Sequence, residues 1–257
     1  MYYTVFKKKK INMKIGSIVE ARMSSTRLPG KVLLKVGKKT MLDYLTDRIK
    51  LVKNINKVII ATTTNLKDIK IVNWCKEKKI SYFKGSEENV LQRVYLCAKK
   101  YNLEVIVLIT GDCPVVDHNI ISQTLNTFLN NKADYVSNAH IRTYPDGMDV
   151  QVFSFSALKK SYQLAKSKLE KEHVTLNMRR NNTIFKAIYL MAPNNLHWPE
   201  LGLTLDEIGD FELLKKIIKY FYSKKNYRFN CLDIINFIKK NPSLLRYNSK
   251  VKRKGDN

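Results

Sequence analysis

The first half of this chain alternates short apolar runs with amphipathic stretches, and that alternation constrains the fold more than any other feature. The runs KIGSIVEA (14–21), KVIIATTT (57–64) and EVIVLITGD (104–112) are almost continuously apolar, and ISYFKG (80–85) is a shorter one. Between them, apolar residues recur at helical spacing: Met41, Leu42, Leu45, Ile49 and Val52, then Ile69, Val72 and Cys75, then Val90, Leu91, Val94 and Ala98. A strand with no polar face is buried on both sides, and parallel strands are joined by crossover helices that cover those sides. The chain is therefore predicted to be α/β, with a mostly parallel sheet flanked by helices. Such sheets bind ligands outside the carboxyl ends of their strands. Three polar loops leave those ends: 22–31, TTTN (62–65) and GDCPVVD (111–117).

Beyond residue 134 the rhythm changes. ADYVSN and MDVQVFSF read as strands, SALKKSYQLAKS and EKEHVTLNMRRN as helices, and TIFKAIYL (183–190) and LGLTLD (201–206) as extended. DFELLKKIIKYFY (210–222) and CLDIINFIKKN (231–241) read as helices. The expected organisation is one α/β domain over 13–245 with an inserted strand-rich arm at 135–200. An N-terminal extension (1–12) precedes Met13, and a basic polar tail (246–257), expected to be mobile, follows. A length of 257 residues suits one large domain.

Composition narrows the function classes. No apolar run approaches the roughly 20 residues of a membrane helix, and MYYTVFKKKKIN lacks the apolar core and cleavage site of a signal peptide. The cysteines Cys75, Cys97, Cys113 and Cys231 form no C-x-x-C pair, so neither a disulfide framework nor a zinc site is expected, and a reducing cytoplasm suits the chain. The net charge of +25 comes mainly from lysines spread over every predicted helix. They form no single stripe and are not interleaved with stacking aromatics, so no specific nucleic-acid partner is read from them. The charge does favour polyanionic ligands such as nucleoside triphosphates.

The loop EARMSSTRLPGK (20–31) carries Arg22, Arg27 and Lys31 among Ser24, Ser25 and Thr26, with Pro29-Gly30 before the lysine. Arginine clamps phosphate bidentately, lysine adds a point charge, and hydroxyls and backbone N–H groups add neutral donors. The Walker spacing is not met, and composition alone leaves open a solvated basic loop. In TGDCP (110–114), Asp112 follows an apolar strand, where a carboxylate can reach a nucleotide-borne Mg²⁺. In LTLDEIGD (203–210), Asp206 ends an extended run and is a second metal-ligand candidate, while Asp210 is expected to cap the next helix. Asp117 is the better cap for the helix after TGDCP. Asp149 and Gln151 of YPDGMDVQV are expected to share a strand face after an Asp146-Gly147 turn. His173 in EKEHVT is a lone histidine and is not assigned as a base from spacing.

ARMSSTRLPGK, TGDCP, PDGMDV, EHVT and LTLDEIGDFELL occur in the order found in the cytidylyltransferase family. The chain resembles the acylneuraminate and 3-deoxy-manno-octulosonate cytidylyltransferases, and most of all their spore-coat-polysaccharide-biosynthesis-like branch. The resemblance spans roughly residues 13–220. It implies a nucleotide-diphospho-sugar-transferase-like (Rossmann-like) fold, CTP and Mg²⁺ as ligands, an acidic sugar as acceptor and a homodimer. By that resemblance Arg22 and Lys31 contact the triphosphate, with Ala21, Ser25 and Arg27 in the same loop. Asp112 and Asp206 hold the metal. Gly85, Ser86 and Arg93 of KGSEENVLQR lie near the nucleotide, and Asp146, Asp149, Gln151, Glu172 and His173 lie on the sugar side. Gln151 stands where the pattern has glutamate, and Ile208-Gly209 where it has Pro-Glu. A glycosyltransferase of related fold is the alternative, although DCP lacks the second aspartate of a D-x-D.

Overall fold

The computed structural model describes residues 13–251. The expected N-terminal extension and residues 252–257 of the expected tail lie outside the described residues.

Four apolar runs form parallel strands: β1 (Ile15–Glu20), β4 (Lys57–Thr63), β5 (Ser81–Gly85) and β6 (Val105–Thr110). A two-stranded hairpin, β2 (Lys35–Val36) and β3 (Lys39–Thr40), lies apart from them. The sheet continues past β6 through β8 (Gln151–Ser154), β7 (Tyr135–Ser137) and β9 (Ala187–Tyr189), giving the order β5-β4-β1-β6-β8-β7-β9. β8 is antiparallel to both neighbours, and β7 and β9 run parallel. The strands of the 135–200 segment are thus hydrogen-bonded into the main sheet and extend it.

Helices cover both faces, as strands without a polar side require. One face packs Ile15, Val19, Ile60, Val105 and Val107 against α1 (Met41–Lys50), α2 (Ile69–Glu77), α4 (His118–Asn130), α8 (Ile208–Ser223) and α9 (Cys231–Lys240). The other packs Ile18, Ile59, Ile106, Leu108 and Phe153 against α3 (Val90–Lys100), α5 (Phe155–Leu164) and α7 (Leu176–Arg180). Asp117 caps α4 through Asn119 N–H, as expected.

Four details differ from the sequence reading. Ile69 is exposed at the start of α2, because a 3-10 turn (Leu66–Asp68) rotates the helix entrance. Ile71, Val72, Trp74 and Cys75 are the residues turned inward. EKEHVTLNMRRN breaks at His173–Thr175 into α6 (Lys168–Glu172) and α7. Asp149 precedes β8, so it does not share a strand face with Gln151. LGLTLD is extended but is not a strand of the sheet: an isolated bridge joins Gly202 with Asp146, and Leu203 and Leu205 N–H donate to Asp146 O and Asp112 O.

The tail begins packed rather than loose. Pro242–Tyr247 form a 3-10 turn, and Asn248 is buried, donating from Nδ2 to Gly202 O and to Asp210 Oδ1 at 2.9 Å each. The chain leaves β1 toward β4 and β5, then returns to the other side of β1 as β6. The switch point of the sheet therefore lies between the carboxyl ends of β1 and β6.

Candidate active site

The loop after β1 is pinned at both ends. Asp68, fully buried, accepts from Met23 N–H (2.7 Å), Thr62 Oγ1 (2.9 Å), Thr63 N–H (3.0 Å) and Thr63 Oγ1 (2.6 Å). Burial opposes its charge, but these donors outweigh burial and hold its pKa below the ordinary aspartate value. Gly30 N–H donates to Met23 O at 3.0 Å, closing the loop on itself. Gly30 has φ +72°, a left-handed conformation that suits glycine, and starts the 3-10 turn Lys31–Leu33. Lys31 is thereby aimed at the switch point.

Three chain segments meet there. Lys31 Nζ donates to Asp112 Oδ2 and to Asp206 Oδ1, each at 2.9 Å. Asp112 stands two residues past β6, and Thr110 Oγ1 donates to its Oδ1 at 2.6 Å. Asp206 arrives on the 201–206 segment, held to the turn after β6 by Leu205 N–H donating to Asp112 O at 2.8 Å. Arg27 reaches the same group, with Nη2 3.0 Å from Asp206 Oδ1 and Nη1 3.4 Å from Glu207 Oε1.

The charges set one another. Burial works against the Lys31 ammonium, but Asp112 and Asp206 outweigh it and lift its pKa above the ordinary lysine value. Burial also opposes ionisation of Asp112, yet Lys31 and the Thr110 hydroxyl hold its carboxyl below the ordinary value. The cluster therefore holds Lys31 and Asp112 in their charged forms. It presents cations able to take oxyanions and carboxylates able to take a hard cation. Among the described residues no three His, Cys, Asp or Glu side chains converge as a metal cage.

The other residues singled out in the sequence fall into groups around this cluster. Arg22 is half-exposed, 3.7 Å from Glu87 on the loop after β5, and Ser24 Oγ also donates to Glu87. Ala21 is buried behind the loop, and Ser25 Oγ accepts from Leu28 N–H at 3.4 Å. Gly85 ends β5 under the Arg93 side chain, Arg93 Nη1 donates to Ser86 O, and Ser86 Oγ accepts from Asn89 N–H at 2.9 Å. On the opposite side of the switch point, Asp146 lies 3.6 Å from Arg142 and accepts from Thr204 Oγ1 at 3.3 Å. Asp146 and Asp149 both act electrostatically on Cys113, which places them near Asp112. Gln151 Oε1 accepts from Tyr135 Oη (2.9 Å) and Thr175 Oγ1 (2.5 Å). Glu172 and His173 end α6. Among the described residues no side-chain hydrogen bond joins either to the Lys31 cluster.

Asp210 is not the helix cap itself. Glu207 is the N-cap of α8, and Asp210 is the third helical residue of a capping box, accepting from Asp206 and Glu207 N–H at 3.0 Å each. Sequence reasoning missed Glu20, the last residue of β1. Its Oε1 is shut off from solvent, and burial pushes its carboxyl up to about 7 despite Arg93. The signal was a carboxylate ending an apolar strand, directly before the basic loop.

A mostly parallel seven-stranded sheet flanked by helices is the fold of nucleotidyltransferases of the nucleotide-diphospho-sugar-transferase type. The sequence profile of the family described as Cytidylyltransferase matches residues 17–234, and this chain belongs to that family. It is 30% identical to the spore coat polysaccharide biosynthesis protein SpsF of Bacillus subtilis, covering 88% of this chain and 94% of that one. It superposes with a TM-score of 0.86 and 36% identity on a cytidylyltransferase from Leptospira borgpetersenii, covering 94% of this chain and all of that one. A CMP:2-keto-3-deoxy-manno-octonic acid synthetase complexed with CTP shares the fold, with a TM-score of 0.61 at 15% identity over 80% of this chain and 99% of that one. No helix among the described residues is long and apolar enough to cross a membrane.

Proposed function

We propose that this chain transfers CMP from CTP to an acidic sugar of the sialic, legionaminic, pseudaminic or 3-deoxy-octulosonic type, releasing pyrophosphate, for surface polysaccharide or glycan synthesis. The observation that carries the reading is the Lys31 ammonium set between Asp112 and Asp206 at the sheet's switch point. Family membership and the synthetase of the same fold support the use of CTP.

Mg²⁺ fits the donor set. An oxygen from each of two carboxylates already meets one cationic group, Lys31 Nζ, at 2.9 Å, and hard oxygens so arranged suit a hard divalent ion that keeps waters and phosphate oxygens as its other ligands. Held by Asp112 and Asp206, Mg²⁺ would neutralise phosphate charge and acidify the attacking hydroxyl. The chain's own groups do the rest. Arg27 and Lys31 take phosphate oxygens and stabilise the charge that builds as the anomeric hydroxyl of the sugar gives its proton to water and its oxygen bonds to the α-phosphorus. The bond from that phosphorus to the bridging oxygen of pyrophosphate breaks, and pyrophosphate leaves with the electron pair. Arg22, with Glu87 beside it, closes the outer side of the loop.

The test is pyrophosphate release from CTP with Mg²⁺ and a panel of acidic sugars, with the product identified by mass. Release that depends on a sugar, with a CMP-sugar formed, is the expected result. A glycosyltransferase would release none, and absence of release across the panel would overturn the reading. The homodimer that the resemblance carries is tested by sedimentation of the same preparation.

A further inference from the structure

Two side chains of opposite sign beside the Lys31 cluster, Glu20 and Arg93, act electrostatically on each other, and each has a buried atom that has no partner. Glu20 closes β1, level with Ala61 of β4 and Thr110 of β6. By strand alternation it shares its face with Ile18, the face that α3 covers. Its Oε1 is excluded from solvent and makes no hydrogen bond. Arg93 projects from α3 and is 3% exposed. Its Nη1 is fixed on Ser86 O, while its Nε is buried and unpaired. Buried polar atoms are ordinarily satisfied, and exceptions call for an explanation. Here an acceptor and a donor are both left over, next to each other, at the ligand edge of the sheet.

The position restricts what they can take. A phosphate would be repelled by the Glu20 carboxylate. The sugar-side residues Asp146, Asp149 and Gln151 lie beyond β6, whereas Glu20, Arg93, Ser86 and Gly85 lie on the β1–β4–β5 half. A nucleotide whose phosphates sit on Lys31 and Arg27, with its acceptor on the β8 side, extends its nucleoside over this half. The matching ligand edge offers a donor beside an acceptor. Cytosine presents that edge as its 4-amino group next to N3, whereas uracil carries a carbonyl at position 4.

We infer that Glu20 is the base-selecting residue of this site, its carboxylate accepting from the 4-amino group of cytosine while Arg93 donates alongside. The inference rests on the proposed use of CTP. It goes beyond that reading by assigning the discrimination between CTP and UTP to a residue outside the phosphate loop.

The experiment measures equilibrium binding of CTP, UTP and inorganic tripolyphosphate, with Mg²⁺ and without sugar, to the full chain and to Glu20→Gln, Glu20→Ala and Arg93→Lys. Wild type should prefer CTP to UTP. Glu20→Gln, nearly the same shape, should narrow that preference by about 10- to 100-fold, because an amide can turn its NH₂ to a 4-carbonyl and one base contact is worth that much discrimination. Glu20→Ala should lose CTP affinity without gaining UTP affinity. Tripolyphosphate affinity should stay unchanged in both Glu20 variants, which also reports a folded loop if the alanine variant is unstable. An unchanged CTP-to-UTP ratio in Glu20→Gln overturns the inference while leaving the proposed function in place. So does equal weakening of both nucleotides, which would put Glu20 against the ribose. Wild type that fails to prefer CTP overturns the proposed use of CTP and this inference together.

Discussion

Lys31 has two partners, and removing it leaves Asp112 and Asp206 facing each other without their shared cation. The consequence belongs to the reaction more than to the fold, because its proposed work is on charge that develops during transfer. Lys31→Ala and Asp112→Asn should each lower the rate of pyrophosphate release by about 10²–10³-fold, the usual loss for one electrostatic donor or its equivalent. Circular dichroism of both variants should match wild type. Near wild-type turnover in either would remove the residue from the chemistry. Asp68 lies one step back, holding the loop without touching the cluster. Its pKa is lowered in the folded protein, so the unfolded chain binds the proton more readily. Its stabilisation is therefore complete above the unfolded value of about 3.9 and is lost as pH falls through the lower folded value. Asp68→Asn should be less stable than wild type at neutral pH, and the gap should shrink toward pH 3, as read by denaturant midpoints across that range.

The entrance of α8 decides where Asp206 stands. Asp210 is fully buried and accepts from the backbone of Asp206 and Glu207 and from the Asn248 amide, so the residue that follows the 242–247 turn ties to the site through one carboxylate. Asp210→Ala removes the acceptor of three donors, the Asn248 amide among them buried, and should cost about 1–3 kcal/mol. Turnover should fall as well, because the Asp206 backbone is no longer fixed. Gly209, where related sequences were expected to carry a larger residue, has a local cause. A Cβ there would lie 2.2 Å from Tyr247 O, so the helix start must be bare for the 3-10 turn to pack on it. Gly209→Ala should therefore lower the thermal midpoint, and an unchanged midpoint would show that the 242–247 turn is free to move aside. The elements most legible in the sequence were those whose pattern has a single physical solution. β1, β4 and β6 are apolar on both sides, and helices such as α3 carry one apolar face. Harder to see were elements fixed by contacts distant in sequence. The three-residue strand β7 exists because β8 offers it an edge, and β9 because β7 does, while Asp210 differs from an N-cap only through partners at 206 and 248. The site was legible as a basic loop and two aspartates after strands. That Lys31 joins both aspartates follows from the turn at Gly30 and the return of the 201–206 segment. Glu20 went unread because a carboxylate at a strand end looks like a loop boundary until strand alternation is carried one residue further.

At the scale of the whole molecule, 47 Lys and Arg face 22 Asp and Glu, and several of the acids are committed to the site or to caps. The excess cations are distributed: the lysines of α2 and α3, including Lys70, Lys76, Lys99 and Lys100, are exposed, away from the Lys31 cluster. Such a surface acts in two opposed ways. It repels itself, which weakens the compact state, and it draws a polyanion toward the sheet edge from a distance. Salt screens both, with a Debye length of about 10 Å at 0.1 M and about 3 Å at 1 M. Raising ionic strength from about 0.05 to 0.5 M should therefore raise the thermal midpoint of the protein alone as self-repulsion is screened. Over the same interval CTP affinity should fall, so the extra stabilisation that saturating CTP confers should shrink. Thermal shifts with and without CTP across that salt series should converge from opposite directions. Parallel curves would mean that the +25 charge steers nothing to the site and that the Lys31 and Arg27 contacts alone account for nucleotide binding.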